Sequence, residues 1–189
     1  MRTLARPSYD GRGDSLSFVL IRDALPQEMA EVGQLRVTAY RSGGYLSENS
    51  GYEAQLRELG AGGAGAVLVA VSAPRPGAGQ HDAISGTVML QPWPHAGQVV
   101  TGSAEAEIRA LAVAPDAQGA GVGSALLAAV IERASASGVD HLVLLTQPEM
   151  RAAQRLYERA GFRRLPGRDW SPSPGQVLLA YGMPLPGQV

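Results

Sequence analysis

The segment from Glu107 to Leu127 carries the densest chemistry in this 189-residue chain. It reads as an apolar strand ending at Val113, a Pro115-Asp116 turn, a glycine-rich loop and a helix. Gly119, Gly121 and Gly123 let the backbone turn tightly and come close to a bulky anion. The helix that follows offers N–H groups with no intrahelical partner and the positive end of its dipole, a device for holding phosphate. Spacing narrows the choice of ligand. A Walker loop ends in Gly-Lys-Ser/Thr, and this chain has no lysine, all 16 basic residues being arginine. A dinucleotide fingerprint needs Gly-x-Gly-x-x-Gly after a first strand, whereas here the run is Gly-x-Gly-x-Gly in the second half of the chain.

What remains is Gln118-x-x-Gly121-x-Gly123 after Leu111-Ala112-Val113, followed downstream by Ala153-Gln-Arg-Leu156-Tyr157-Glu-Arg-Ala-Gly161-Phe162. In that order, the two segments resemble the acyl-CoA loop and the Ala-x-x-Leu-Tyr-x-x-x-Gly-Phe element of the GCN5-related N-acetyltransferases. The resemblance runs from Ser17 to Met183, with the specific matches confined to these two segments. It implies acetyl-CoA as co-substrate and no metal. It implies that the amides of Gln118, Gly119, Ala120, Gly121, Val122, Gly123 and Ser124 face the pyrophosphate. Leu111, Ala112 and Val113 would pair by main chain with the pantetheine arm, as an added strand does. Many members carry an asparagine seven residues before the tyrosine; here that position is Met150, which cannot make such a hydrogen bond.

The same resemblance sets Tyr157 beside the coenzyme sulfur as general acid. A thiolate has a proton affinity of about 8.5 and a tyrosine about 10, so donation costs only about 2 kcal/mol. On spacing alone, Tyr157 shares a helical stripe with Ala153, Leu156 and Ala160, and a core tyrosine is the plainer reading. An amine acceptor also needs a base, since at a pKa of about 10.4 only about one molecule in 10³ is neutral at pH 7. Glu107 and Glu105 share one face of a strand with Arg109. Glu107 stands where several family members carry their base; Glu105 and a chain of waters are the alternatives. The acceptor pocket of the family is formed by the segments that are here Ser42–Tyr52 and Pro166–Gln176. Their aromatic and acidic residues Tyr45, Tyr52, Asp169 and Trp170 would suit a cationic amine, with Asp169 meeting the ammonium, the alternative for Trp170 being that it only packs under a proline-rich loop.

Composition bounds the rest. The length suits one domain with a substantial core. A net charge of −1 gives no general attraction to nucleic acid or anionic lipid, and no apolar run approaches the roughly 20 residues of a membrane span. Absence of cysteine excludes disulfides, thiol nucleophiles and thiolate metal sites, and is compatible with the cytoplasm. His81, His95 and His141 have no metal-ligand spacing. Arginine used to the exclusion of lysine, with abundant Ala, Gly and Pro, points to a GC-rich bacterial genome. The expected partner is a small-molecule amine, with no nucleic acid and no membrane; a homodimer is left open. The alternative to an N-acetyltransferase is a catalytically silent acyl-CoA sensor or interaction module on the same fold.

These residues need elements to position them. Residues 1–16 read as a mobile polar tail without the apolar core of a secretory signal, and 17–185 as the domain. Strands are expected over Phe18–Arg22, Ala66–Val71, Ala83–Leu90, Glu107–Val113 and His141–Thr146, with a terminal pair over Phe162–Leu165 and Gln176–Met183. Helices are expected from Pro26 to Arg41, over Tyr52–Leu59, after the glycine loop to Gly138, and from Pro148 to Gly161. This order fits a single-domain, mixed α/β fold around one central sheet. The resemblance makes that sheet largely antiparallel, with helices on both faces.

Overall fold

The computed structural model describes residues 3–4, 19–46, 51–72 and 83–186. Most of the tail, the Pro/Gly-rich turn with His81, and residues 47–50 of the expected acceptor segment lie outside them. In chain order the elements are β1 (Thr3–Leu4), β2 (Val19–Asp23), α1 (Met29–Ser42), α2 (Tyr52–Glu58), β3 (Ala66–Ser72), β4 (Ala83–Pro92) and β5 (Glu105–Val113). There follow α3 (Val122–Ala136), β6 (His141–Thr146), α4 (Arg151–Arg159), β7 (Arg163–Arg164), β8 (Trp170–Ser173) and β9 (Gln176–Pro184). The strands form one sheet in the order β1-β2-β3-β4-β5-β6-β9-β7, with β8 on β9. All pairings are antiparallel except β5 with β6. Among the described residues no helix is long and apolar enough to cross a membrane.

The apolar strands are buried on both faces, and their period-2 alternation sorts side chains between two cores. Leu68, Ala70, Val88, Leu90, Ile108, Leu142 and Leu144 pack under α3 with Leu126, Leu127 and Val130. Val67, Val69, Val71 and Met89 meet Val32 of α1 on the other face, and Ala110 lies with Val37 and Leu56. Burial of each such side chain is worth about 1.5–3 kcal/mol. At the β6 end, Val143 and Ala180 are covered by Val99 and Val100 from the loop between β4 and β5.

Two local readings are corrected. Pro148 and Glu149 do not begin a helix; α4 starts at Arg151. The stretch before it is a turn closed by the Met150 N–H on the Gln147 carbonyl (3.1 Å). The Gln154 amide secures it by donating to the carbonyls of Gln147 (2.9 Å) and Pro148 (3.0 Å). The proline-rich stretch before β9 also contains a strand, β8, that local composition did not signal. In the tail, Thr3–Leu4 pair with Leu20 and Ile21 of β2.

Candidate active site

The site begins where two neighbouring strands part. β5 and β6 are paired from Glu105/His141 to Ile108/Leu144. Beyond that point β5 continues to Val113 and β6 to Thr146 without pairing each other. The divergence coincides with a bulge on the other edge of β5, where the register with β4 shifts between Thr87 and Met89. Ala110, at φ 49°, takes up the bend. The backbone from Arg109 to Val113 therefore turns an unpaired edge toward a cleft, as strand addition requires.

A cavity of about 510 Å³ occupies the cleft, within the ordinary range for a small-molecule site. Of the residues expected at the coenzyme, Leu111, Ala112, Val113, Gln118, Gly119, Gly121, Val122, Gly123 and Ser124 line it, and Ala120 does not. Gly119 and Gly121 sit at φ 81° and 82°, a region costly for residues with a Cβ, which is why the loop needs glycine there. No side chain caps the N-terminus of α3, so its first-turn amides are available to an anion. The Gln118 amide donates to the Val113 carbonyl (3.3 Å) and ties the loop to the strand. Tyr40 and Tyr45 form part of the opposite wall, with Met150, Ala153 and Leu156. At Met150 the sulfur accepts the Thr146 hydroxyl (3.5 Å), so this position contributes a soft apolar surface to the wall.

Tyr157 is 6% exposed and packs against the rings of Phe162 and Tyr181 at centroid distances of 6.0 and 6.3 Å. It is held by the end of α4: Gly161, at φ 102°, lets the Phe162 N–H return to the Tyr157 carbonyl (3.0 Å). Burial pushes its phenol well above the tyrosine range, which keeps the proton on the hydroxyl. Tyr157 is not itself in the cavity wall; Ala153 and Leu156 of its helix are, as is Tyr40, whose phenol is raised by burial and by the nearby Tyr52 and Tyr157.

The two carboxylates of β5 have opposite environments. Glu107 is 4% exposed, with the Gly97 N–H donating to it at 2.7 Å and Arg109 Nε at 3.8 Å. Burial raises its pKa, opposed by Arg109 and then by the Gly97 N–H, so its affinity for a proton moves toward neutrality. Glu105 accepts two hydrogen bonds from Arg168 (2.7 and 2.6 Å) and two from Thr101, and its Oε1 lies 3.0 Å from His141 Nδ1. Arg168, first, holds its pKa far below the carboxylate range, against the effect of burial. A carboxylate so held is a poor base, and Glu105 serves as a clamp instead.

On the acceptor side the expected set is divided. Tyr45 lines the same cavity, its ring against Gly43 and its carbonyl accepting from Gln147 (3.0 Å). Tyr52 lies on α2 with its ring 6.4 Å from Tyr40. Burial raises its phenol, Arg109 opposes this, and the charge of Glu107 adds to it, which joins Tyr52, Arg109 and Glu107 in one cluster. Asp169 is not open to an ammonium group: it forms a bidentate pair with Arg164 (2.8 and 2.9 Å) and accepts the Ala180 N–H (2.8 Å). Trp170 is exposed on β8, opposite Leu178.

Residues that sequence reasoning missed include Arg168, Tyr40 and Arg36. The Arg36 guanidinium, wholly buried in α1, donates to the carbonyls of Leu59 (2.6 Å) and Leu56 (3.5 Å) and so fixes the C-terminal end of α2. Its desolvation lowers its pKa to about 10. Only a tertiary contact reveals these roles; in the linear chain Tyr40 belongs to an ordinary apolar stripe.

Comparison with known proteins agrees with this geometry. Residues 44–162, which include both glycine loop and tyrosine helix, match the model of the acetyltransferase (GNAT) family. A mycothiol acetyltransferase of Beutenbergia cavernae is 34% identical over 104 residues, 55% of this chain. The chain spans only 30% of that relative's length. Among solved structures, a GNAT-family acetyltransferase of Staphylococcus aureus superposes with a TM-score of 0.66 at 17% identity, covering 89% of this chain and 99% of the other. A Kribbella flavida GCN5-related N-acetyltransferase gives 0.64 at 24% identity over 88% and 98%. A Salmonella typhimurium protein solved with its cofactor acetyl-CoA gives 0.62 at 19% identity over 92% and 97%. These structures share the fold: a mixed, largely antiparallel sheet between helices. On its cleft, its glycine loop and its match to the family model, the chain belongs to the acetyltransferase (GNAT) family.

Proposed function

We propose that this enzyme moves the acetyl group of acetyl-CoA to the amine of a small molecule by direct attack. The observation that carries this reading is the juxtaposition along β5. An unpaired strand edge and a glycine-loop helix terminus frame one cavity, and a buried carboxylate precedes them on the same strand.

Acetyl-CoA would supply an activated thioester, whose acyl carbon is open to a neutral amine. The α3 amides would hold its pyrophosphate, and the Leu111–Val113 backbone its pantetheine arm. Glu107, buried and of raised proton affinity, would take the ammonium proton directly or through water. Strand amides near Leu111–Val113 would offer hydrogen bonds to the oxygen that gains charge. Tyr157, protonated at neutral pH, would offer its proton to the sulfur. Burial makes this phenol a weaker acid than free tyrosine, so the transfer costs more than the roughly 2 kcal/mol of the unperturbed pair unless the thiolate is desolvated as well.

With Asp169 paired to Arg164, Glu107, whose charge acts on Tyr52, is the carboxylate this reading leaves to meet the amine. Incubation with acetyl-CoA and a panel of small amines, reading free thiol, tests the proposal. Thiol release that depends on the amine supports it. Tight acetyl-CoA binding with no release for any amine would favour a silent binding module.

A further inference from the structure

The loop between β4 and β5 crosses directly over the carboxylate assigned as base, and it is held from the far end of the sheet. Arg168 lies in the short turn that links β7 to β8. It grips both oxygens of Glu105 and also donates to the carbonyl of Val99. Thr101, two residues on, donates to Glu105 through its N–H (2.8 Å) and its hydroxyl (3.0 Å). Gly97, two residues before Val99, places its N–H on Glu107 Oε2 at 2.7 Å. The fit is close: a Cβ at position 97 would lie 2.8 Å from that oxygen. Arg168 makes these contacts although its Nε is buried without a partner, a cost carried by a group whose Nη1 and Nη2 both engage in this clamp.

We propose that Arg168 is a positioning residue for the base: by binding Glu105 and the Val99 carbonyl together, it keeps the Gly97 amide on Glu107. The proposal rests on the reading of Glu107 as base. Other groups facing Glu107 are Arg109 on its own strand, Gln91 opposite it on β4 and bonded to Arg109 (2.9 Å), and Tyr52 from α2. None of these is held by Arg168. An N–H bonded to a carboxylate favours its charged form, so losing that bond leaves Glu107 more reluctant to ionise.

The test titrates the Glu107 carboxyl by ¹³C resonance in full-length protein, alongside the pH profile of kcat/KM. Gly97→Ala displaces the amide with no change of charge; Arg168→Met removes the clamp. Both are expected to move the Glu107 midpoint up by about one pH unit, tenfold in proton affinity. The double variant is expected to go no further than either single one. KM for acetyl-CoA should stay constant. A midpoint unmoved in Gly97→Ala, or shifts that add in the double variant, would overturn the proposal, since Arg168 would then act by its charge alone. If Arg168→Met does not fold, Gly97→Ala and Glu105→Gln decide, both expected to move upward. A carboxyl midpoint that moves while the kcat/KM profile stays put would uphold the positioning and remove Glu107 as base.

Discussion

The glycine loop permits a test in which strain and charge separate. Gly121 sits at φ 82° at the start of α3, exposed on the cavity rim. Any side chain there bears a left-handed cost of about 1–2 kcal/mol, least for Asn and Asp, which visit this region most readily. Gly121→Asn and Gly121→Asp therefore share nearly the same strain and bulk and differ by one negative charge. A carboxylate about 5 Å from one pyrophosphate charge, at an effective dielectric of about 40–80 for an exposed loop, adds about 0.8–1.7 kcal/mol of repulsion. Since about 1.4 kcal/mol is tenfold in affinity, Gly121→Asp should bind acetyl-CoA about tenfold or more weakly than the native chain. Gly121→Asn should fall between. Calorimetric titration at low and high salt measures both, with a thermal melt as the check on folding. The gap between Asp and Asn should narrow as salt rises. An Asp variant that stays folded and binds with native affinity would refute the assignment of this loop to the pyrophosphate. Equal losses in Asp and Asn would refute the electrostatic part.

Other consequences are as specific. Tyr157→Phe keeps the ring and its packing on Phe162 and Tyr181, so the melting temperature should change little, while kcat falls by about 10–10³ with KM for acetyl-CoA nearly constant. An unaltered kcat, with chemistry shown to be rate-limiting, removes Tyr157 from the mechanism. Because burial raises the Glu107 pKa, kcat/KM should fall as pH drops through a value above the ordinary glutamate range. Glu107→Gln should abolish that acid limb and lower the rate by about 10²–10⁴, and a retained limb would count against Glu107. Asp169→Asn breaks the Arg164 pair and weakens the bond from Ala180, so it should lower the melting temperature and leave KM for the amine alone; a raised amine KM would return Asp169 to the acceptor pocket. Small polyamines, amino acids and aminoglycoside-like amines should exceed basic peptides of similar charge in kcat/KM. Peptides ahead by more than about tenfold would sink the small-molecule reading.

What the sequence disclosed follows from where the information lay. Val67, Val69 and Val71 alternate with Leu68 and Ala70, and that local pattern suffices to place β3 with two buried faces. The glycine loop and the helix of Tyr157 are equally local, and nine of ten expected coenzyme residues line one cavity. Glu105 and Glu107 look interchangeable in the chain. Their difference comes from Arg168, 63 residues away from Glu105, and from the loop that sets the Gly97 N–H on Glu107. The pairing of Asp169 is hidden for a related reason, since Ala180 meets it only once β9 returns beside β7 and Arg164 closes on it across the turn. At Pro148 the failure was one of competition: a proline-led helix start is good local chemistry, but Gln154 takes the Gln147 and Pro148 carbonyls and fixes a turn instead.

The most direct measurement is a crystal structure with a non-transferable acetyl-CoA analogue and an amine. The account predicts the pyrophosphate on the amides from Gln118 to Ser124 and the pantetheine arm along Leu111–Val113 in the cleft between β5 and β6. It also predicts the sulfur position within hydrogen-bond reach of Tyr157, and the amine nitrogen linked to Glu107 directly or through one water. An analogue lying outside the β5–β6 cleft, or one with its reacting end remote from both Tyr157 and Glu107, would contradict it.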